Sequence, residues 1–497
     1  MTEKVAEKPS QLDATTARKL IGEGVISPVD LLESCIDQID ELDGVVNAMV
    51  TRAYHRARGE AQAAKLAVKK GEVLGVLHGL PVAIKDIHLT EGIRTSFGSE
   101  KFKDNIPEQD SGIVHRIRQA GGIVIGKTNV PEGSIGANTV NSLFGATGNP
   151  FNPDLTCGGS SGGSGVAVAT NMVPLATGSD HGGSLRIPAC YSGVVGYRAT
   201  PGVVPNEARA TLQTNYSVQG PMARTVSDAA LLLSVIAERD NNARKDPMAF
   251  PLDASKFSRL EAIDISRLRI AITVDLGGVL VSETIRNSFE SKMQILSRKV
   301  AVCDLHDINL SDAPDVDWHL RQDLFVTQYF DQAKDWTDDF NPNIKATYYS
   351  ALDTSMASIA AARRKQMQLY QSFASIFSEY DLVICPGVSI PPFPWKYRNP
   401  EVIDGKTVDN YMAWLALTSS LTVVGHPVLA LPCGLDEQGT PFGIQVIGQM
   451  YADHKLLSAG ASIERFFGTH SELARPIPNF EVLSKFNSSC RSLGKLV

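Results

Sequence analysis

The sequence predicts an α/β protein: a single large domain whose mixed β-sheet is covered by helices on both faces. Three observations predict it. Short apolar runs bounded by glycine, Gly79-Leu80-Pro81-Val82-Ala83-Ile84 and Gly122-Ile123-Val124-Ile125-Gly126, have the texture of strands buried on both sides. They alternate with helical stretches such as Ser111 to Ala120. The 497 residues contain no internal repeat and no low-complexity linker, so one compact unit is expected.

In chain order, Ser27-Pro28-Val29-Asp30 offers an N-cap serine, a proline at the first helical position and an acid beyond it. Leu31, Leu32, Cys35, Ile36, Ile39 and Leu42 then recur at helical spacing, and Asp43-Gly44 is expected to end that helix. A second helix is expected from Tyr54 to Lys70. Residues 145–224 are rich in Gly, Ser and Pro and give no regular pattern. Residues 225–380 are expected to be mainly helical with a few strands, and Leu382-Val383-Ile384 and Val428-Leu429-Ala430-Leu431 are expected as late strands.

Composition narrows the function. Hydrophobic residues make up 43% and charged residues 20%, an ordinary globular balance. The net charge is −7, and Lys69-Lys70 and Arg363-Arg364-Lys365 are too short to form a basic stripe, so no nucleic-acid partner is expected. No run of 18 apolar residues exists, so no membrane span is expected, and residues 1–11 lack the apolar core of a secretory leader. The seven cysteines (35, 157, 190, 303, 385, 433 and 490) are scattered without a C-x-x-C pair. That argues against a zinc site or a disulfide framework and fits a reducing cytoplasm.

Three segments are chemically unusual. Gly158-Gly159-Ser160-Ser161-Gly162-Gly163-Ser164-Gly165 is costly to order, and such a cost is tolerated where the backbone must approach closely or take positive φ. Ser179-Asp180-His181-Gly182-Gly183-Ser184-Leu185-Arg186 can turn successive N–H groups into an anion-binding nest. Lys85 is a cation at the end of an apolar run. A phosphate-binding loop requires a lysine directly after its last glycine, but Gly165 is followed by Val166. A nucleophile elbow, G-x-S-x-G, requires a strand just before it, and the preceding Asn149-Pro150-Phe151-Asn152-Pro153 cannot be a central strand.

A third reading accounts for all three segments. Gly79-Leu80-Pro81-Val82-Ala83-Ile84-Lys85-Asp86, Gly126-Lys127-Thr128-Asn129, Cys157 to Gly165, Asp180-His181-Gly182-Gly183-Ser184-Leu185-Arg186-Ile187-Pro188-Ala189 and Gly220-Pro221-Met222-Ala223-Arg224-Thr225-Val226-Ser227-Asp228 occur in that order. Gly425-His426-Pro427, Pro432-Cys433-Gly434 and Pro441-Phe442-Gly443-Ile444-Gln445 follow. Together they resemble the amidase signature family of Ser-cisSer-Lys amidohydrolases over residues 12–470, densely from 79 to 229 and weakly from 240 to 380. The resemblance implies that family's fold. It also implies an N-terminal helical segment (1–75) packed on the core, an amidase domain (76–475, signature core 79–229) and a C-terminal tail (476–497).

The resemblance implies a triad of Ser184 as nucleophile, Ser160 as relay and Lys85 as base, with a cis peptide at Gly159–Ser160. Backbone N–H groups of His181, Gly182, Gly183 and Ser184 would hold the oxyanion, and Ser134 aligns with a pocket-lining position. His181 departs from the small or β-branched residue the family leads one to expect; its imidazole either lines the pocket or packs. The chemistry is sound on its own terms. A serine hydroxyl needs a base within reach, and burial lowers the pKa of a lysine so that it can serve as one. Asp86, Asp180, Arg186 and Arg224 are expected to hold loops together, Asn129 to anchor a turn, and Ser161 and Ser164 to bond their own backbone. Phe325, Tyr329, Phe330 and Trp336 are expected either in the pocket or in the core.

The expected function is hydrolysis of a C–N bond in a small aryl or alkyl amide, or a carbamate, through a serine acyl-enzyme. No cofactor, no metal and no membrane is implied, and a monomer or homodimer is expected. Two alternatives share the scaffold. One is the glutaminase subunit of a tRNA-dependent amidotransferase, which usually carries Gln after the arginine where this sequence has Ile187. The other is a catalytically dead binding protein.

Overall fold

Burial at both parities runs through the central strands. Successive side chains of a strand point to opposite faces, so a strand buried at every position must be covered on both sides. Pro81–Lys85, Ile123–Thr128, Val195–Arg198, Val218–Ala223 and Leu382–Pro386 are each buried throughout. The structure, a computed structural model, describes residues 8–212, 214–336, 340–408 and 410–491. The stretch expected to lack a secretory leader lies partly outside them, as does the end of the expected tail.

Among the described residues eleven strands form one sheet: β1 (Met49–Arg52), β2 (Pro81–Lys85), β3 (Ile123–Thr128), β4 (Leu175–Asp180), β5 (Val195–Arg198), β6 (Val218–Ala223), β7 (Arg269–Ile272), β8 (Val302–Leu305), β9 (Leu382–Pro386), β10 (Val428–Leu435) and β11 (Pro441–Ile447). Their spatial order is β1-β3-β2-β4-β6-β5-β10-β11-β9-β7-β8. The sheet is mixed. β3, β2 and β4 are parallel, as are β9, β7 and β8, and the pairings between these groups are antiparallel. One hydrophobic core runs from Ala14 to Leu483. A separate small cluster of Phe325, Tyr329, Ile344 and Tyr348 lies apart from it. The fold is thus the single large α/β unit expected.

The helix over Pro28–Val46 starts as the sequence predicts, with Ser27 and Asp30 forming a reciprocal capping box. It does not stop at Asp43-Gly44. Asp43 is buried and accepts the N–H groups of Ala48 and Met49 at 2.7 and 2.9 Å, so its side chain closes the turn after the helix, and Asn47 takes the left-handed C-cap (φ 55°). The second helix spans Tyr54–Lys70 as expected. The N-terminal segment is not helical alone, because β1 lies between these helices and pairs antiparallel with β3 at the sheet edge.

Candidate active site

Two buried lysines end or cross neighbouring parallel strands, and they meet different partners. Lys85, the last residue of β2, follows the buried Val82, Ala83 and Ile84. Its Nζ lies 2.8 Å from Ser160 Oγ and 2.9 Å from both Ser161 Oγ and Ser179 Oγ. No carboxylate among the described residues forms an ion pair with it. Burial holds its pKa well below the ordinary lysine value, opposed in part by the charge of Asp180. Lys127, on β3, donates to the His88 carbonyl (2.6 Å) and to Thr90 and Thr95 hydroxyls (3.0 and 2.8 Å), with Asp86 Oδ1 at 3.8 Å. Burial brings it down to about 8, with Asp86 opposing.

The glycine–serine segment needs its glycines for close approach. A Cβ on Gly162 would collide with Thr139 Oγ1, and one on Gly163 would collide with the backbone nitrogen of Asn129. The Gly159–Ser160 peptide is cis, as the resemblance implies. Ser160 is buried, and Ser134 donates to its Oγ at 2.8 Å. The helix Gly162–Ala169 starts directly afterwards. Ser161 and Ser164 do not simply bond their own turn, because a strand passes within reach of each. Ser161 reaches Lys85 and the Ser179 carbonyl, while Ser164 joins Thr128 Oγ1 to the Thr177 carbonyl.

β4 ends at Asp180, and the loop to Ser184 begins there. Asp180 is buried between Arg186 and Arg198, with N–O distances of 3.0 and 3.1 Å. Burial alone would raise its pKa; the two guanidinium groups outweigh that and hold the carboxyl well below the usual range. Its Oδ1 accepts the Gly183 N–H at 2.8 Å. Of the four amides expected to face an oxyanion, that of Gly183 is therefore committed to Asp180. Those of His181, Gly182 and Ser184 take no acceptor among the described residues. The Ser184 hydroxyl makes no hydrogen bond to Ser160.

His181 Nδ1 lies 3.0 Å from Ser217 Oγ, and its ring packs 4.6 Å from that of Tyr216. Burial first, then the charges of Arg321 and Arg198, hold it well below the ordinary imidazole value, so it is neutral. Its Nε2 is buried without a partner among the described residues.

Ser134, Ser160, His181, Gly182, Gly183 and Ser184 all line one cavity of about 350 Å³, and Lys85 sits behind its wall. Phe325 and Tyr329 line the same cavity. Phe330 is 58% exposed, and Trp336 stacks on Phe340 beside Tyr329. Asp86 accepts from Ser96, Arg224 donates to the carbonyls of Val173, Ser10 and Leu12, and Asn129 donates to Thr147, as expected of groups that hold loops. Among the described residues no group of three or more His, Cys, Asp or Glu side chains is placed to hold a metal ion. No helix among them is long and apolar enough to cross a membrane.

The Amidase family model matches residues 30–457. The chain belongs to the amidase family. It is 30% identical to a glutamyl-tRNA(Gln) amidotransferase subunit of Alkaliphilus metalliredigens, over 89% of this chain and 94% of that one. It is 29% identical to the acylamidase of Rhodococcus erythropolis, over 91% and 95%. Among solved structures, a bacterial aryl acylamidase of the amidase signature family superimposes with a TM-score of 0.83 at 28% identity, covering 91% of this chain and 96% of that one. The amidase family makes this chain a hydrolase of carbon–nitrogen bonds other than peptide bonds.

Three further residues of this amidase-family site could not be picked out from the sequence. Ser179 stands within its motif, but only the fold brings its hydroxyl to Lys85. His88, three residues after Lys85, lines the cavity with Nε2 buried and without a partner among the described residues. Arg321 lies in the stretch where the family pattern is weakest, and nothing local distinguishes it from a surface arginine.

Proposed function

We propose that this chain hydrolyses neutral aryl or alkyl amides, and carbamates, through an acyl-enzyme on Ser184. The observation that carries this is the Lys85 amine, sealed among three serine hydroxyls without a carboxylate to keep it protonated. A neutral lysine has a lone pair for a serine proton. In the proposed cycle Ser184 Oγ attacks the carbonyl carbon as its proton passes to Ser160 and that of Ser160 to Lys85. The carbonyl π-electrons move to oxygen, and the amides of His181, Gly182 and Ser184 are the donors free to receive that charge. Collapse breaks the C–N bond, and the proton returns through Ser160 to the departing amine. Water then repeats the path, releasing the carboxylic acid (for a carbamate, the carbonate half-ester) and restoring Ser184.

The similarity to amidotransferase subunits leaves glutamine to be considered. The described lining of the cavity includes one cation, Arg321, and no Asp or Glu. The α-ammonium group of glutamine would find no carboxylate there, and leaving a charge unpaired in a part-buried site is costly. A neutral substrate fits better.

The test is release of 4-nitroaniline from anilides, together with mass spectrometry of the trapped acyl-enzyme. Ser184→Ala is expected to lose roughly 3–6 orders of magnitude in kcat, because members of such a triad act as a unit. Retention of about a tenth of the wild-type rate or more would sink the assignment.

A further inference from the structure

We infer that Arg321 reads the acyl side of the substrate. It donates to an acceptor oxygen one bond beyond the scissile carbonyl, so that the site favours carbamates and related oxygen-bearing acyl groups over plain alkyl amides. The inference rests on the hydrolytic reading above and sharpens its substrate class.

Arg321 projects from the helix Ala313–Tyr329 into the cavity wall. Its Nη2 is held by both carboxylate oxygens of Asp317, one turn earlier, at 3.1 and 3.2 Å, and Asp317 is buried. The guanidinium carbon also lies 5.9 Å from the centroid of the Tyr216 ring. Nε is sealed inside the protein with no partner among the described residues, and Nη1, which is not sealed, takes no acceptor among them, so Nη1 is the donor left open to a ligand. A guanidinium donor without an acceptor is completed when a ligand supplies one. The ion pair with Asp317 fixes the plane of that fork before any substrate arrives.

Its position says which part of a substrate it meets. The guanidinium lies against Gly182, where an added Cβ would come within 2.9 Å of Nη2, so glycine at 182 lets the cation approach the loop two residues before Ser184. The departing amine must be protonated from Ser160, which puts the amine on the Ser160 flank. The backbone amides of the loop take the oxyanion, so the acyl substituent is the part left to meet the Arg321 side chain where it reaches that loop.

The charge count points to a neutral acceptor. Asp317 balances Arg321, and the described lining holds no second cation, so a carboxylate gains little there. The cavity lining also carries the apolar side chains of Ile187, Phe325 and Leu415. Against such a lining, a substrate oxygen placed at the fork distinguishes one acyl group from its methylene analogue. A site built to donate to an oxygen discriminates strongly against the analogue that lacks it.

The experiment uses two substrates that differ only there and share a leaving group: ethyl N-(4-nitrophenyl)carbamate and 4-nitrobutyranilide, in which a methylene replaces the ester oxygen. The quantity read is the ratio of kcat/KM for carbamate over amide, compared between wild type and variant so that intrinsic reactivity cancels. The variant is the double substitution Asp317→Asn, Arg321→Met, which removes both charges together and leaves no buried unpaired carboxylate. Arg321→Lys, which keeps the ion pair but loses the fork, is measured beside it. The ratio is expected to fall about tenfold in the double variant and by a smaller factor in Arg321→Lys. An equal loss on both substrates, or no change, overturns the inference and leaves the hydrolase reading standing. Release of 4-nitroaniline from neither substrate by the wild type overturns both, and that result is seen before any variant is made.

Discussion

Lys85 and Lys127 stand on adjacent parallel strands, and both are fully buried, yet their surroundings set opposite tasks. Lys127 faces a carboxylate, two hydroxyls and a carbonyl, and it ties β3 to the loop after β2. Lys85 faces hydroxyls alone, which serve an amine and an ammonium alike, so desolvation decides its state. The sequence shows two lysines in two motifs; what separates them is the position of Asp86, which only the fold reveals. A base depressed in the folded state burdens stability. Between its native pKa and the unfolded value of about 10.4, the unfolded chain holds a proton that the native chain does not, so stability rises with pH across that window. Lys85→Met is therefore expected to melt higher than wild type. The difference should be largest below the depressed pKa and vanish above about pH 10.4; thermal melts at a series of pH values check this. Activity has the same sign, since it needs the neutral amine and falls on acidification. Lys85→Arg is expected to be inactive at every pH, because guanidinium cannot accept the proton. Rapid-mixing measurement of Ser184 acylation in both forms decides it, and equal rates would remove Lys85 from the mechanism.

Around the site, several elements are closed by side chains from distant parts of the chain. Asp228 accepts the N–H groups of Ala14 and Thr15 at the start of the first helix (3.0 and 2.8 Å), and Arg224 holds the carbonyls of Ser10 and Leu12. The motif that ends the signature core thus clamps the N-terminus. Glu464, on the helix Asp453–Phe467, accepts the Val226 N–H at 3.1 Å. Burial raises that carboxyl to about 8, and Asp228 and Asp13 push the same way. For an acid raised in the folded state, the native chain holds the extra proton, so stability falls as pH rises from about 4.5 to about 8. Glu464→Gln keeps an acceptor for Val226 and removes the titration. Relative to wild type it is expected to gain stability between about pH 5 and about pH 9, as read by urea denaturation at both ends.

Elements with local signals were legible: the capping box at Ser27, the helix Tyr54–Lys70, and the strands at Pro81–Lys85 and Leu382–Pro386. Residues 145–224 were not, although they supply three central strands. Leu175–Asp180 reads LATGSD and Val218–Ala223 reads VQGPMA, with few β-branched residues. These segments are strands because their neighbours in the sheet pair with them.

At the scale of the molecule, one core carries the sheet and the residues around Lys85 and Ser160, and the ends of the chain are tied to it. Leu483 enters the main core, and Cys490 packs with Ala146 and Trp395 while its carbonyl accepts the Ala146 N–H at 2.8 Å. Ending the chain at residue 475 is expected to cost about 3 kcal/mol from those two buried side chains, measurable by calorimetry. The order of the sheet could not be derived from sequence pattern, because β4 and β6 carry little strand signal and the apolar β2 and β10 could pair in many arrangements. The resemblance implied a mixed sheet covered on both faces and no particular strand order. The outer wall of the cavity is different. Phe325 and Tyr329 belong to the small cluster with Ile344 and Tyr348, separate from the main core, whereas Ser160 and Lys85 are embedded where the sheet and its helices meet. For protein engineering this makes selectivity a replaceable part. A combinatorial library confined to positions 325, 329, 344 and 348 samples new pocket shapes while the reacting groups keep their alignment, and a variant lost from such a library has lost its fit to substrate before it has lost its fold.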